Sequence, residues 1–500
     1  MNERWLELLQ SLILLCYKGI WIYLVVVIIA CIWLFLAAVR TMVRKKDLDL
    51  LHYDEVLNEA LAPPVSVLYP VHNRENTIIA DVNHLLDIHY GCYEVIVIND
   101  GSIDGTMERL MEVYELSTVK SKTHYSSIGQ AVGEIRGTYR SMRYDNLVVV
   151  DKQYGGHSDA LNAGIRVSQY PYFASIGPTT MLDKYAFVKM MKPVMAALPG
   201  EEIIACGGRL ELADSQRVSC SRFHIQGEKP AAALPRSPLL MMQRIEYIRV
   251  FLISGLGLVR YNINTLLFTS EAFGLFKKSY VMEIGGFNPD PRMAHLELIM
   301  RLHRHMKQIK GRGRIVYIDD PVSSMKVPES CAGLHQQRIR WHRQLTNTMW
   351  EQREMAGNPK YGWMGMVTIP YFIMVELIGP VLEIGTLLLL FVGLLLPFVE
   401  NSLLVVLGML LLLYGSLLSA AVILFEVWLA RRRYKAREVT RLFLYALSES
   451  FWFRPMNNIF RIHGLIKAIW SLRGHGSSRG SAYSELPADK YTGHAVKQYN

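Results

Sequence analysis

What this chain has little of narrows it first. Six cysteines are scattered along 500 residues, and no two stand as Cys-x-x-Cys. That spacing suggests neither a zinc site nor a disulfide framework, and reduced thiols fit a cytosolic domain. Charged residues make up only 20% of the chain against 51% hydrophobic, a balance too apolar for an ordinary soluble protein. The net charge of +10 comes largely from cations beside apolar runs, where they face an anionic leaflet. No nucleic-acid partner is expected from charge placed that way.

The apolar excess is concentrated. Residues 20–39 form a near-unbroken hydrophobic run of about the ~20 residues a helix needs to cross a bilayer. The run is too long for a secretory h-region and has no small-residue cleavage site, so 1–46 reads as a retained signal anchor. RTMVRKK (40–46) follows it, which puts that flank in the cytosol and the N-terminus outside. A second block fills 364–430, with spans at about 380–399 and 403–429, and RRRYKAR (431–437) comes next. WMGMVTIPYFIMVEL (363–377) contains Pro370 and Glu376 and reads as an interfacial or re-entrant helix. Residues 442–470 are amphipathic, are interrupted at Arg454-Pro455, and suit the interface as well. The region 363–470 is thus expected to hold interfacial helices and two spans, and 471–500 a flexible cytosolic tail. The spans lack a run of charged residues, which argues against a transporter or channel. The expectation is a multi-pass plasma-membrane protein, in contact with the lipid bilayer, whose main domain is cytosolic.

That domain, 47–362, alternates β-rich runs with helical or loop segments. VSVLY (65–69), YEVIVI (93–98), LVVVD (147–151), YFASI (172–176) and IIACG (203–207) read as strands buried on both faces. Stretches 76–88 and 158–167 have helical spacing. The alternation predicts an α/β domain with a mainly parallel sheet and helices on both faces. Ligands bind such sheets off the carboxyl ends of the strands. After the first strand, PVHNREN (70–76) offers Asn73 and Glu75 to a base or ribose. After the second, Asp100 sits in an Asn-Asp-Gly-Ser turn. After the third, Tyr154-Gly155-Gly156-His157 opens a helix as a phosphate cradle would. Each segment alone is a weak signal, because Asx-Gly turns are common in every fold.

Their order carries more. P-x-x-N-x-E, D-G-S-x-D-G-T, G-G-x-x-D-A-L-N-x-G, G-G-F (285–287) and Q-x-x-R-W (337–341) follow one another across about 63–345. This series resembles family 2 glycosyltransferases of the membrane polysaccharide-synthase type. The resemblance implies a GT-A-type, Rossmann-like nucleotide-sugar-binding domain flanked by transmembrane helices. It gives Asn73, Glu75, Asp100, Gly156 and His157 to the nucleotide of a UDP-sugar ligand. It gives Gln337, Arg340 and Trp341 to the acceptor and product side, where Arg340 can clamp a phosphate and Trp341 can face a sugar ring.

The departures from the family pattern fall at the reacting centre. Where the family carries Asp-x-Asp for Mg²⁺ or Mn²⁺, this chain has Gly177, Pro178 and Thr179. Hard divalent cations want carboxylate oxygens, so no metal site is expected there, and Asp183 is a poor substitute. The family's base position, ahead of ELIMRLHRH (297–305), reads Ala294-His295, leaving His295 as the candidate base. A family lysine is His157, a family carboxylate is Lys326, and the acceptor-side Ser-Gly is Ser270-Glu271. The scaffold is spared while charge at the centre is removed or inverted. Two readings follow. One is an atypical glycosyltransferase using Lys152, His157 or Lys326 in place of a metal. The other is an inactive paralogue, a scaffold or regulatory subunit of an active synthase.

Overall fold

The computed structural model describes residues 3–45, 62–119, 132–213, 235, 237–257, 273–290, 295–309, 311–395, 401–429 and 436–473. The tail after 473 and the Ser270-Glu271 and Ala294 positions lie outside them. Helix α1 (Glu3–Lys45) contains the anchor run. Its stretch Leu14–Thr41 is long and apolar enough to cross a membrane.

The domain after it is built on β1 (Val65–Val71), α2 (Ile78–Leu86), β2 (Tyr93–Asp100), α3 (Thr106–Tyr114), β3 (Leu116–Thr118), β4 (Ile135–Ser141) and β5 (Leu147–Lys152). It continues through α4 (His157–Val167), β6 (Tyr172–Ile176), β7 (Thr180–Leu182), α5 (Ala186–Met195), β8 (Glu202–Ala213) and α6 (Pro238–Val250). Then come β9 (Phe273–Lys277), α7 (Lys278–Glu283), α8 (His295–Gln308), β10 (Gly313–Lys326) and α9 (Cys331–Glu351). The described strands form one ten-stranded sheet in the order β3-β4-β5-β2-β1-β6-β9-β8-β10-β7.

The mainly parallel sheet expected from the alternation is corrected to a mixed one. β1 runs parallel to β2 and β6, β2 to β5, and β8 to β10. β9 runs antiparallel between β6 and β8, and β4 antiparallel to β5. The run 135–141 lacks apolar continuity, and the apolar run 273–277 is short. β4 is a half-exposed strand near the sheet edge, which explains its weaker pattern.

Side chains alternate between two cores, as the two-residue strand period requires. Val65, Val67, Tyr69, Val95 and Val97 face α2, α3 and α5. Leu68, Ile96, Ile98, Val148 and Val150 face α4, α8 and the inner turns of α1. Ile96, Ile98 and Val150 are 0% exposed, and such burial contributes about 1.5–3 kcal/mol per side chain. Because β1, β2, β5 and β6 run the same way, the loops after them meet along one edge of the sheet.

On the membrane side, residues 363–395 form one unbroken helical run. It has π-helical turns at Met364–Thr368 and Phe372–Ile378 and ends as α10 (Gly379–Leu395). The segment read as a separate interfacial helix is therefore continuous with the second candidate span, Met364–Gly393. Pro370 cannot complete an ordinary helical turn, and widened turns on both sides of it absorb the mismatch. Helix α11 (Asn401–Leu429) holds the third candidate span, Val405–Trp428. Helices α12 (Ala436–Ser448) and α13 (Phe453–Arg473) follow. Arg454 and Pro455 lie in the first turn of α13, where the missing N–H of Pro455 costs nothing, and the break between α12 and α13 falls just before them.

Candidate functional site

Register assembles the strand ends read as nucleotide contacts. Asn99 is opposite Asp151 and Asp100 is opposite Lys152 across β2 and β5. Neighbouring pairs point to opposite faces, so the two polar pairs form separately. Asn99 Nδ2 donates to Asp151 Oδ1 at 2.7 Å. On the other face the Lys152 ammonium lies 2.7 Å from Asp100 Oδ1 and 2.6 Å from Asp159 Oδ2 of α4. It also donates to Gln153 O at 2.5 Å, and its side chain is 0% exposed.

The two carboxylates have further partners. Asp100 accepts the backbone N–H groups of Gly155 (2.9 Å, Oδ1) and Gly156 (2.8 Å, Oδ2). Asp159 accepts the Gly133 N–H. The glycines that read as a phosphate cradle thus bind Asp100, the residue read as a nucleotide contact. Gly101 is required here, because a Cβ on it would lie 2.6 Å from Tyr154 N.

Asn73 and Glu75 reach the same loop. Asn73 stands in the left-handed region at φ 52°, which asparagine tolerates better than most residues. Its Oδ1 accepts from Ile103 N at 2.9 Å, and its own N–H donates to Ser102 Oγ. Glu75 Oε2 accepts from Gly105 N at 3.1 Å. Both brace the 100–106 turn. Beside them His72 Nδ1 hydrogen-bonds Asp100 O at 2.8 Å, and the His72 ring lies 4.8 Å from that of Tyr154.

At the reacting end, Gly177, Pro178 and Thr179 form a tight turn between β6 and β7, closed by Thr180 N donating to Gly177 O at 3.1 Å. The turn has no carboxylate. Asp183 is 2% exposed and paired to Lys189 at 2.8 Å, so it does not face the turn's solvent side as a free ligand. Among the described residues no three His, Cys, Asp or Glu side chains are grouped to hold a metal. The family's divalent cation does not fit the side chains of this turn. Met325 of β10 is opposite Thr180, and the exposed Lys326 follows it toward the turn.

His295 begins α8 and is 6% exposed. Its Nε2 lies 3.0 Å from Ser175 Oγ, and Phe276 and Phe287 flank the ring at 6.5 and 5.3 Å. Burial, with a smaller contribution from His157, lowers its pKa to about 3. The imidazole is neutral at physiological pH and a weak proton acceptor. His157, 6.1 Å away between ring centroids, has exposed area yet is crowded by protein. That crowding lowers its pKa, and the Asp100 charge opposes the shift.

Two motifs turn out to be braces. Asn162 of the A-L-N run, 0% exposed, donates to Phe287 O and accepts from Phe287 N, both at 2.8 Å. Arg301 of α8 pairs with Glu297 and donates to Ile284 O and Gly286 O at 2.7 Å. In the Q-x-x-R-W segment Gln337 is buried and Arg340 exposed. The intervening Arg338 pairs with buried Glu246 of α6 at 2.5 Å and lies 4.9 Å over the Trp341 ring.

Sequence reading missed Arg338, Ser175 and Asp159. It also missed a set of ion pairs at the membrane helices. Arg454 and Arg461 of α13 pair with Glu383 and Glu376 at 2.9 and 2.5 Å, and Arg249 pairs with Glu449. These groups line a cavity of about 80 Å³, apart from the Asp100–Lys152 cluster. Arg454 and Arg461 lie seven apart, on one helix face, which was the available signal.

Residues 66–125 match the family model described as glycosyl transferase family 2. They cover β1, α2, β2 and α3. The chain is 25% identical over 289 residues to a poly-beta-1,6-N-acetyl-D-glucosamine synthase of Staphylococcus aureus (strain MSSA476), covering 55% of this chain and 53% of that protein. It is 24% identical over 302 residues to the synthase of the same description from Staphylococcus epidermidis, covering 57% and 56%. The chain thus spans about half the length of the curated relatives it matches. Among solved structures, mannosyltransferase PcManGT from Pyrobaculum calidifontis, in complex with GDP-Man and Mn²⁺, aligns over 88% of this chain and 99% of its own. The TM-score is 0.43 at 14% identity. The chain carries a family 2 glycosyltransferase domain on a mixed α/β sheet. Three of the described helices are long and apolar enough to span a bilayer.

Proposed function

We propose that this protein acts in surface-polysaccharide synthesis at the cytosolic face of the membrane. Its pocket takes a UDP-sugar, and the usual metal-dependent transfer is impaired or replaced. The curated relatives, described as poly-beta-1,6-N-acetyl-D-glucosamine synthases, support the polysaccharide setting. The observation that carries the reading is the 177–180 turn, where a leaving diphosphate would meet glycine, proline and threonine in place of carboxylates. Asn73, Glu75, Asp100, Gly156 and His157 are the nucleotide contacts in this reading. Gln337, Arg340 and Trp341 serve the acceptor side.

His295 favours a second reading. A buried imidazole with its pKa at about 3 takes up an acceptor's proton poorly at neutral pH. An inactive paralogue serving as scaffold or regulatory subunit of an active synthase needs no base. Calorimetric titration of the detergent-solubilised full chain with UDP and UDP-sugars, with and without Mn²⁺, tests the shared core of both readings. Binding is expected, and absence of binding under every condition sinks them. Sugar transfer or hydrolysis separates the first reading from the second, which instead expects co-purification with a relative bearing the acidic motifs.

A further inference from the structure

We propose that Lys152 is the pocket's resident cation, and that it stands in a site a divalent ion would otherwise fill. The inference rests on the nucleotide-pocket reading above and extends it: the donor site takes a nucleoside diphosphate without a co-bound metal ion. Three oxygens, Asp100 Oδ1, Asp159 Oδ2 and Gln153 O, surround the ammonium at 2.5–2.7 Å. Two of the three are carboxylate oxygens, the donor set a hard cation prefers. The ammonium donates to Asp100 Oδ1 and Gln153 O and is ion-paired with Asp159, and the side chain is 0% exposed. An ion so enclosed is retained because leaving would strand two buried carboxylates.

Glycines close the cage. A Cβ at Gly155 would overlap Asp159 Oδ2 and lie 2.9 Å from Lys152 Nζ. A Cβ at Gly133 would lie 3.2 Å from Asp159 Oδ2 and 3.3 Å from Lys152 Nζ. Backbone N–H groups from Gly133, Gly155 and Gly156 hold the carboxylates in place. Those backbone donors remain when the lysine is removed, and they keep both carboxylates within reach of one replacement cation. With Lys152 present, the cage is filled by a group the chain carries. No carboxylate of the cage is left over to recruit a metal, and the 177–179 turn supplies none.

The test compares the full chain in detergent with Lys152→Ala, titrating each with Mn²⁺ alone by electron paramagnetic resonance. The variant is expected to gain a Mn²⁺ site about tenfold or more tighter than any in the parent. Its melting temperature should rise with Mn²⁺ while the parent's does not. Lys152→Ala/Asp159→Ala should lose the gain. A variant that folds only when Mn²⁺ is present supports the proposal equally. Equal Mn²⁺ binding by parent and Lys152→Ala, or a variant that Mn²⁺ fails to stabilise, overturns it. On the parent protein, UDP affinity is expected to be unchanged between EDTA and Mn²⁺, and a tenfold or larger rise with Mn²⁺ also overturns it. If the parent binds no UDP at all, the nucleotide reading fails, while the metal-only titration still decides what the cage holds.

Discussion

His295 Nε2 lies 3.0 Å from Ser175 Oγ, inside a wall made by Phe276 and Phe287. The residue read as the candidate base is thus a ring that burial keeps neutral. Its folded pKa of about 3 is below the ordinary 6.5. Between those values the unfolded chain binds a proton that the folded chain does not. Stability from this group is full above about pH 6.5 and is lost as pH falls toward about 3, at up to about 1.4 kcal/mol per pH unit. The melting temperature of the solubilised chain should fall more steeply from about pH 7 to about pH 5 than that of His295→Gln, which retains a hydrogen-bonding group without titrating. Parallel curves would remove His295 as the cause.

Asn162 ties α4 to the Gly-Gly-Phe turn through both ends of its amide. Replacing it by Ala leaves the N–H and C=O of Phe287 buried without that partner. A loss of about 3 kcal/mol is expected, read as a lower melting temperature. Asn162→Asp should recover little, because it supplies no donor for Phe287 O. Full stability in Asn162→Asp would contradict the geometry.

Arg338 and Arg340 stand two residues apart and should separate cleanly. Arg338→Met strands Glu246 without its cation, although Asn457 Nδ2 still donates to it at 3.0 Å. Breaking a buried pair this way costs about 3–5 kcal/mol. Arg340→Met, at an exposed position, should change stability by less than about 0.5 kcal/mol and affect only ligand handling. Thermal melts of the two variants side by side check this, and comparable destabilisation would refute the assignment.

Gly415 of α11 makes room for Arg454, since a Cβ there would overlap Nη1 and lie 2.9 Å from Ser450 Oγ. Gly415→Ala should displace the guanidinium from Glu383 and Tyr414, its partners at 2.9 and 2.5 Å. The expected cost is about 1–3 kcal/mol of strain, plus the loosened ion pair. Arg454→Ala combined with Gly415→Ala should show less than the sum of the two single losses. Additive losses would mean that the two residues do not share the space.

The sequence by itself determined the long apolar runs, the buried strands and the order of the loops. Each of these depends on local composition: a hydrophobic run, a two-residue alternation, a glycine turn after a strand. It also showed that 177–179 carries no carboxylate, which is visible without coordinates. The tertiary structure decided the rest. Antiparallel β4 carries a weak local signal and β9 a short one, and the direction of β9 is fixed by neighbours far away in the chain. The Lys152 cage needs the β2–β5 register to set Asp100 opposite Lys152, and α4 to bring Asp159 onto the same ammonium. Similarly, Arg338 rather than Arg340 bears the ion pair because α6 places Glu246 beside it. Composition and spacing act over a few residues, whereas a buried charge is defined by whatever the fold packs against it.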